Sequence, residues 1–251
     1  MSENIKYEEL EKYMKKNNVT LEGYLKVIKN RNAHILNMPD DVYVEYAGCF
    51  EKLKQDIDVY DNMGKHILTA QERGKILEKM AGLLFFRGNA MFDKAINCKT
   101  VTNEIDILVN WSKEALQIGL NKAYEFIGES FLCECKNYTG SVDVTYIGKF
   151  YSLMKVSNVK FGIIFSRNGI SGQNIWLYGK GLARKIALSE QIYIIDITWS
   201  DFEEIYNKKT NILKVINDKY IAMRNDISYS EYRIKHEMED EFLEKLKGIK
   251  G

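Results

Sequence analysis

The sequence predicts a mixed α/β fold, with a central sheet flanked by helices and helical extensions at both the N- and C-terminal ends. Three observations predict it. Hydrophobic residues fill 45% of the 251 positions, enough for a real core. Helical periodicity up to about residue 67 gives way to short strand-like runs between about 68 and 200, then returns. Pro39 is the only proline, and no Ser/Gly-rich linker divides the chain. The expected organisation is a helical region at 1–67, an α/β core at 68–200 and a helical region at 201–251.

Each element has its own signal. YEELEKYMKK and DVYVEYAGCFEKLKQDI carry the helical period of the first region. Thr69 is set to cap AQERGKILEKMAGLLFF, in which Ile76, Leu77, Met80, Leu83 and Leu84 form one apolar stripe. FDKAINCKT and NEIDILVNW alternate and read as strands, and the Lys/Ala/Leu-rich segment 113–126 reads as an inserted helix. SFLCECKNY is a third strand, followed by a helix around VDVTYIGKFYSLMKVS. KFGIIFS and QIYIIDITW are compact strands separated by the helix NIWLYGKGLARKIAL, and residues 201–247 mix acids and lysines at helical spacing.

Several function classes are excluded or weakened by composition. A net charge of +1 gives the whole chain no electrostatic bias toward nucleic acid or membrane. Cys49, Cys98, Cys133 and Cys135 form no CxxC pair, and the CxC is too close in sequence for an unstrained disulfide. Buried thiols in a reducing compartment are the expectation. His34, His66 and His236 are too far apart to complete a zinc site. The charged N-terminus MSENIKYEELEKYMKK has no signal-peptide core, and AGLLFF is too short to span a bilayer, so a soluble, cytoplasmic protein is expected. GxxxxGK[ST] is absent, GKGLAR lacks the third glycine of a dinucleotide fingerprint, and NGISG lacks nucleophile-elbow spacing.

The residues able to do chemistry lie on two strands. NEIDILV as a strand sets Ile105, Ile107 and Val109 on one face and Glu104, Asp106 and Leu108 on the other. SFLCECK sends Leu132, Glu134 and Lys136 to one face and Phe131, Cys133 and Cys135 to the other. If the strands are neighbours, Asp106, Glu134 and Lys136 converge. The two carboxylates offer hard oxygen ligands for Mg²⁺, for which Mn²⁺ can substitute, and the Cys135 backbone carbonyl between them is a further ligand. A lysine beside such an ion can orient or deprotonate a water and stabilise charge on a phosphate, which is metal-assisted phosphodiester hydrolysis. Glu134-x-Lys136 is the only acid-x-Lys in the chain. A salt-bridged cluster on a solvated sheet face would have the same pattern, and spacing alone leaves both readings open.

Charge distribution supplies a second signal. From Val144 to Ser189 there is no acidic residue, while Lys149, Lys155, Lys160, Arg167, Lys180, Arg184 and Lys185 all fall there. Residues 1–60 and 201–251 instead hold acids and bases in near balance. The segment after the carboxylate pair is therefore the basic one, which suits a polyanion, and these residues are the candidate DNA contacts. Tyr146, Phe150, Tyr151, Trp176 and Tyr178 are interleaved with them.

The order of helix, NEIDILV, SFLCECK and VKFGIIFSRNGISG resembles the PD-(D/E)xK nuclease superfamily, in particular its Mrr-like restriction endonuclease branch. The resemblance covers residues 70–200 and implies a restriction-endonuclease-like sheet. By position it implies that Asp106, Glu134 and Lys136 are catalytic, with Asp106 and Glu134 holding the metal. It adds a helix acid, Glu78 in GKILEKMAGLLF, although Glu78 sits away from the stripe of Ile76, Met80 and Leu83; Glu72 is the lesser candidate. The chain departs from the family pattern in three ways: no proline precedes Asp106, the gap from Asp106 to Glu134 is long, and no glutamine follows near Gly148 or Lys149.

The implied activity is Mg²⁺-dependent endonuclease cleavage of double-stranded DNA in restriction or defence, leaving a 5′-phosphate and a 3′-hydroxyl. Cutting both strands with one such site calls for two copies, so a homodimer is expected, with the terminal helices free for dimer contacts. An inactive DNA-binding module of the same fold and a junction resolvase are the alternatives. The sequence names no target site and no partner methyltransferase.

Overall fold

The computed structural model describes residues 38–86, 91–99, 104–117, 119–172 and 177–225, with Lys12, Lys15, Lys16 and Thr20. The rest of the expected terminal helical regions, and Trp176, lie outside the described residues.

Local signals set the helix ends. Asp40 and Asp41 open α1 (Asp40–Met63), where acids complement the helix dipole, and Gly64 closes it at φ 67°. Thr69 caps α2 (Ala70–Phe86) as expected, and Glu72 completes a capping box with it: Glu72 N–H donates to Thr69 Oγ1, and Thr69 N–H donates to Glu72 Oε2 at 2.8 Å. Glu72 is thereby an exposed capping residue.

The strands β1 (Phe92–Lys99), β2 (Glu104–Trp111), β3 (Ser130–Lys136), β4 (Phe161–Ser166) and β5 (Tyr193–Ile197) form one sheet in sequence order. The first three pair antiparallel and the last three parallel, giving a mixed sheet. Each parallel pair needs a helical crossover, supplied by α5 (Val144–Val156) and α6 (Tyr178–Glu190). The expected single helix at 113–126 is instead α3 (Lys113–Gln117), α4 (Leu120–Ala123) and a 3₁₀ turn at Glu125–Ile127. Gly119 at φ 71° interrupts it, because a left-handed residue cannot continue a helix. After β5 come α7 (Trp199–Tyr206) and α8 (Ile212–Arg224).

Side-chain alternation assigns the layers. Phe85 of α2 packs edge-on against Phe131 and Phe165, so α2 covers their face of the sheet. Gly162 faces the opposite way, where a Cβ would stand 2.6 Å from Phe150 and 2.7 Å from Met154 of α5. The missing side chain is what lets α5 lie on β4. α1 joins the first layer: its Tyr46 donates to the Phe202 carbonyl at 2.8 Å, and Phe50 stacks on Trp199 at 4.6 Å. A single buried cluster runs from Val42 through the sheet to Ile216, so helices on both sides of the expected boundaries at 67 and 200 share one core. Among the described residues no helix is long and apolar enough to cross a membrane.

Candidate active site

The carboxylates meet because of register. Ile107 pairs with Cys133 in the antiparallel β2–β3 ladder, so Asp106 and Glu134 stand opposite each other one step beyond it. Ile105, Ile107 and Val109 are buried on one face, and Asp106 and Leu108 are half-buried on the other, as the alternation requires. The Cys135 N–H donates to Asp106 Oδ2 at 2.7 Å. Lys136, two residues on from Glu134, is ion-paired with it.

The electrostatics are those of crowded acids. Burial, and then the Asp106 charge, push the Glu134 carboxyl up; Lys136 opposes this and Glu78 adds to it. Burial would lower the Lys136 ammonium, but the hydrogen bond and charge of Glu134, with Asp106, outweigh it and hold the lysine charged. Lys136 is therefore a cation in this arrangement rather than a ready base. Glu78 on α2 is half-buried and close enough to repel Glu134, although the helical wheel sets it off the apolar stripe. Cys133 and Cys135 share the α2 face, and burial pushes both thiols well up, which leaves them unreactive.

Beside the carboxylates lies an open cleft of about 140 Å³, lined by Glu134, Lys136, Tyr146, Lys149, Phe150 and Ile164 among others. Asp143 caps α5 by accepting from Thr145 N–H and Tyr146 N–H, which fixes the first turn of the helix over the site. Lys136 and Lys149 lie 5.1 and 5.3 Å from the Tyr146 ring centre. Tyr138 leans on Tyr146 at 5.5 Å, and burial and this partner push its hydroxyl up to about 12. No spacing in the sequence marks Tyr138; the turn after β3 is what brings it against Tyr146.

The basic segment is divided by the fold. Lys149 lies in the cleft wall, and Arg167 follows Ser166, which is in register with Lys136. Lys180 is half-buried at the start of α6, where its charge helps hold Asp196 down. Lys160 lies before the first residue of β4, at the far end of six residues, about 20 Å from the site end. Lys155 is paired with Glu190 at 2.7 Å. Arg184 is buried, 6% exposed, and Lys185 is exposed later on α6. Lys155 and Lys160 lie toward the opposite end of the sheet from the carboxylates, because α5 runs from the site end back to the other, whereas Arg184 and Lys185 sit midway along α6.

Among the described residues no group of three or more His, Cys, Asp or Glu side chains is gathered to hold a metal ion. Asp106 and Glu134 alone are a fit for Mg²⁺, which takes one or two carboxylates and keeps several waters, and their mutual repulsion is what a divalent cation relieves.

No family model matches this chain, and no curated protein does. Among solved structures it is similar to the crystal structure of a protein of unknown function, AF1548, at 15% identity over 63% of this chain and 89% of that one, with a TM-score of 0.31. That likeness is too slight to bear on activity.

Proposed function

We propose that this chain is an Mg²⁺-dependent DNA endonuclease of restriction or defence type, built on a PD-(D/E)xK site of the Mrr-like kind. The observation that carries the reading is the apposition of Asp106 and Glu134 across β2 and β3, with Lys136 ion-paired beside them at the mouth of an open cleft. Mg²⁺ or Mn²⁺, held by Asp106, Glu134 and the Cys135 carbonyl, would neutralise the phosphoryl oxygens and acidify the attacking water. Lys136, kept charged by its acids, stabilises negative charge developing on the phosphate. Lys149 and Tyr146 line the approach and orient the strand being cut. Glu78 adds negative charge at the carboxylate pair and supports binding of the cation. Two copies serve the two strands of a duplex, and the free buried thiols Cys49 and Cys133 suit the reducing cytoplasm.

A DNA-binding module without cleavage is the second reading. It is favoured by the Glu134–Lys136 ion pair, which occupies a carboxylate that the metal would need. Plasmid cleavage with Mg²⁺ or Mn²⁺, on methylated and unmethylated DNA, separates the two. Cleavage lost in EDTA and in Lys136→Ala is expected; intact plasmid with salt-sensitive binding would leave the binding module.

A further inference from the structure

Tyr178 stands at the start of α6 with its backbone at φ 50°, and the residue is 69% exposed. A bulky residue in the left-handed region crowds its Cβ against the following carbonyl. The other described non-glycine residues with positive φ are Asn158, Gln191 and Lys208. Each of them follows the last turn of a helix, where a left-handed residue is a usual stop. Tyr178 opens a helix, and no such stop calls for its conformation.

The seating of Gly179 holds it there. A Cβ on Gly179 would stand 2.7 Å from Ile170 Cγ2, 2.9 Å from Ser171 Oγ and 3.3 Å from the Val142 carbonyl oxygen. Lys180 N–H donates to the Ser171 carbonyl at 2.9 Å, and Ser171 N–H donates to the Val142 carbonyl at 2.8 Å. The start of α6 is thus fastened to the loop after β3, with Tyr178 exposed one residue before the fastening. Strain of this kind persists only where the surroundings fix it, and it gathers at sites that hold a ligand.

The fastening point belongs to the cleft. Val142 lines it, and Val144, two residues on, opens α5. Tyr138 leans on Tyr146 in the cleft wall. Tyr138, Val144, Leu177 and Tyr178 are four of the ten large apolar residues exposed among the described ones, so exposed apolar surface gathers at this rim.

Area and charge decide the occupant. Four side chains fall far short of the roughly 800 Å² per partner that a stable protein contact covers. A nucleobase needs only one ring face, and stacking on an aromatic side chain accepts any base. Phosphate charge is met separately, by Lys136 and Lys149 in the cleft. Inside a duplex both faces of a base are covered by its neighbours, so the ring is open only to a base outside the stack.

We propose that Tyr178 is the platform on which an unpaired nucleobase stacks when its strand passes the carboxylate pair. The substrate is then a nucleic acid with an unpaired nucleotide beside the cleavage position. The proposal rests on the nuclease reading for its ligand, and it makes Tyr178 a binding residue outside the chemistry at Asp106, Glu134 and Lys136.

The test is fluorescence anisotropy of the full chain in EDTA, at one salt concentration, with three labelled probes of equal length. The probes are a single-stranded oligothymidylate, a blunt duplex and a duplex with a one-nucleotide bulge. Tyr178→Gly is expected to weaken binding of the single strand and the bulged duplex about tenfold, and to leave the blunt duplex unchanged. Tyr178→Phe should bind all three as the wild type does. Glycine takes positive φ without strain, so Tyr178→Gly should also raise the melting temperature by about 2–4 °C. Opposite signs on binding and stability are what a platform gives and a purely structural residue does not. Unchanged single-strand binding in Tyr178→Gly, or lost binding with a lower melting temperature, overturns the platform even if plasmid is cut. An equal loss on the blunt duplex overturns the assignment to an unpaired base. Conversely, binding that depends on Tyr178, with no probe cleaved in Mg²⁺ or Mn²⁺, would sink the nuclease reading and leave the platform standing.

Discussion

The Cys135 N–H donates to Asp106 Oδ2 at 2.7 Å, so one acid of the candidate site is also the latch between β2 and the end of β3. Asparagine at position 106 can still accept that hydrogen bond while losing its charge. Asp106→Asn is therefore expected to fold; Mg²⁺ is expected to raise the melting temperature of the wild type and not that of the variant. Cleavage should fall about 10²–10³-fold or more, the cost of removing one electrostatic stabiliser. Thermal melts with and without Mg²⁺, beside the plasmid assay, check both; an unchanged Mg²⁺ shift in the variant would remove Asp106 as a ligand.

The division of the basic segment gives a paired prediction. Lys149 stands in the cleft wall, whereas Lys160 lies at the opposite end of β4. Lys149→Ala should weaken duplex binding and reduce the salt slope by about one. Lys160→Ala should change neither. Anisotropy titrations over a salt series measure both, and equal effects would mean that DNA does not run past the carboxylates.

Gly162 tests how α5 is seated. A Cβ there would press on Phe150 and Met154 at 2.6 and 2.7 Å, so Gly162→Ala should cost about 1–3 kcal/mol by overpacking. It should also disturb Tyr146 and Lys149, which ride on the same helix. Gly148→Ala on α5 meets nothing within 4 Å and should be neutral or stabilising by up to about 1 kcal/mol. Urea unfolding of the two variants makes the comparison; similar losses would refute the close approach.

Acid should attack the far side of β5 first. Lys219 Nζ, almost fully buried, donates to Asp201 Oδ2 at 2.6 Å and to the Asp196 carbonyl at 2.7 Å. Burial would raise the Asp196 carboxyl, but the Lys219 charge, Ile170 N–H and Lys180 outweigh it and hold it below the usual range. A folded value below the unfolded one gives stability that is present above about pH 4 and lost as pH falls through the folded value. Asp56, held down by Leu68 N–H and His66 against burial, acts with the same sign. Asp196→Asn should flatten the acid limb of the stability curve, as followed by urea midpoints from pH 7 to pH 2. An unchanged limb would show that this network carries no pH dependence.

Glu78 and Lys160 show where sequence pattern stopped being informative. Strand alternation depends only on neighbours along the chain, so the faces of Asp106, Glu134 and Lys136 were legible before any fold was known, as were the Thr69 cap and the order of the strands. Glu78 sits off the apolar stripe of α2, and a wheel cannot tell that this helix crosses the end of β3 and brings it near Glu134. The charge run from Val144 to Ser189 was equally plain, yet α5 runs back along the sheet and carries Lys155 and Lys160 toward the end opposite the carboxylates.

The sequence by itself determined the α/β class and the three residues that could bear chemistry, because both follow from short-range periodicity and residue type. Only the tertiary structure decided the apposition of Asp106 and Glu134, the inclusion of α1 and α7 in the core, and the seating of Gly179 against Val142 beside the cleft. Those facts depend on ladder register and on contacts between residues far apart in the chain, such as Tyr43 and Tyr206, 163 positions apart. No local period encodes contacts at that separation; the packing of the whole chain selects them.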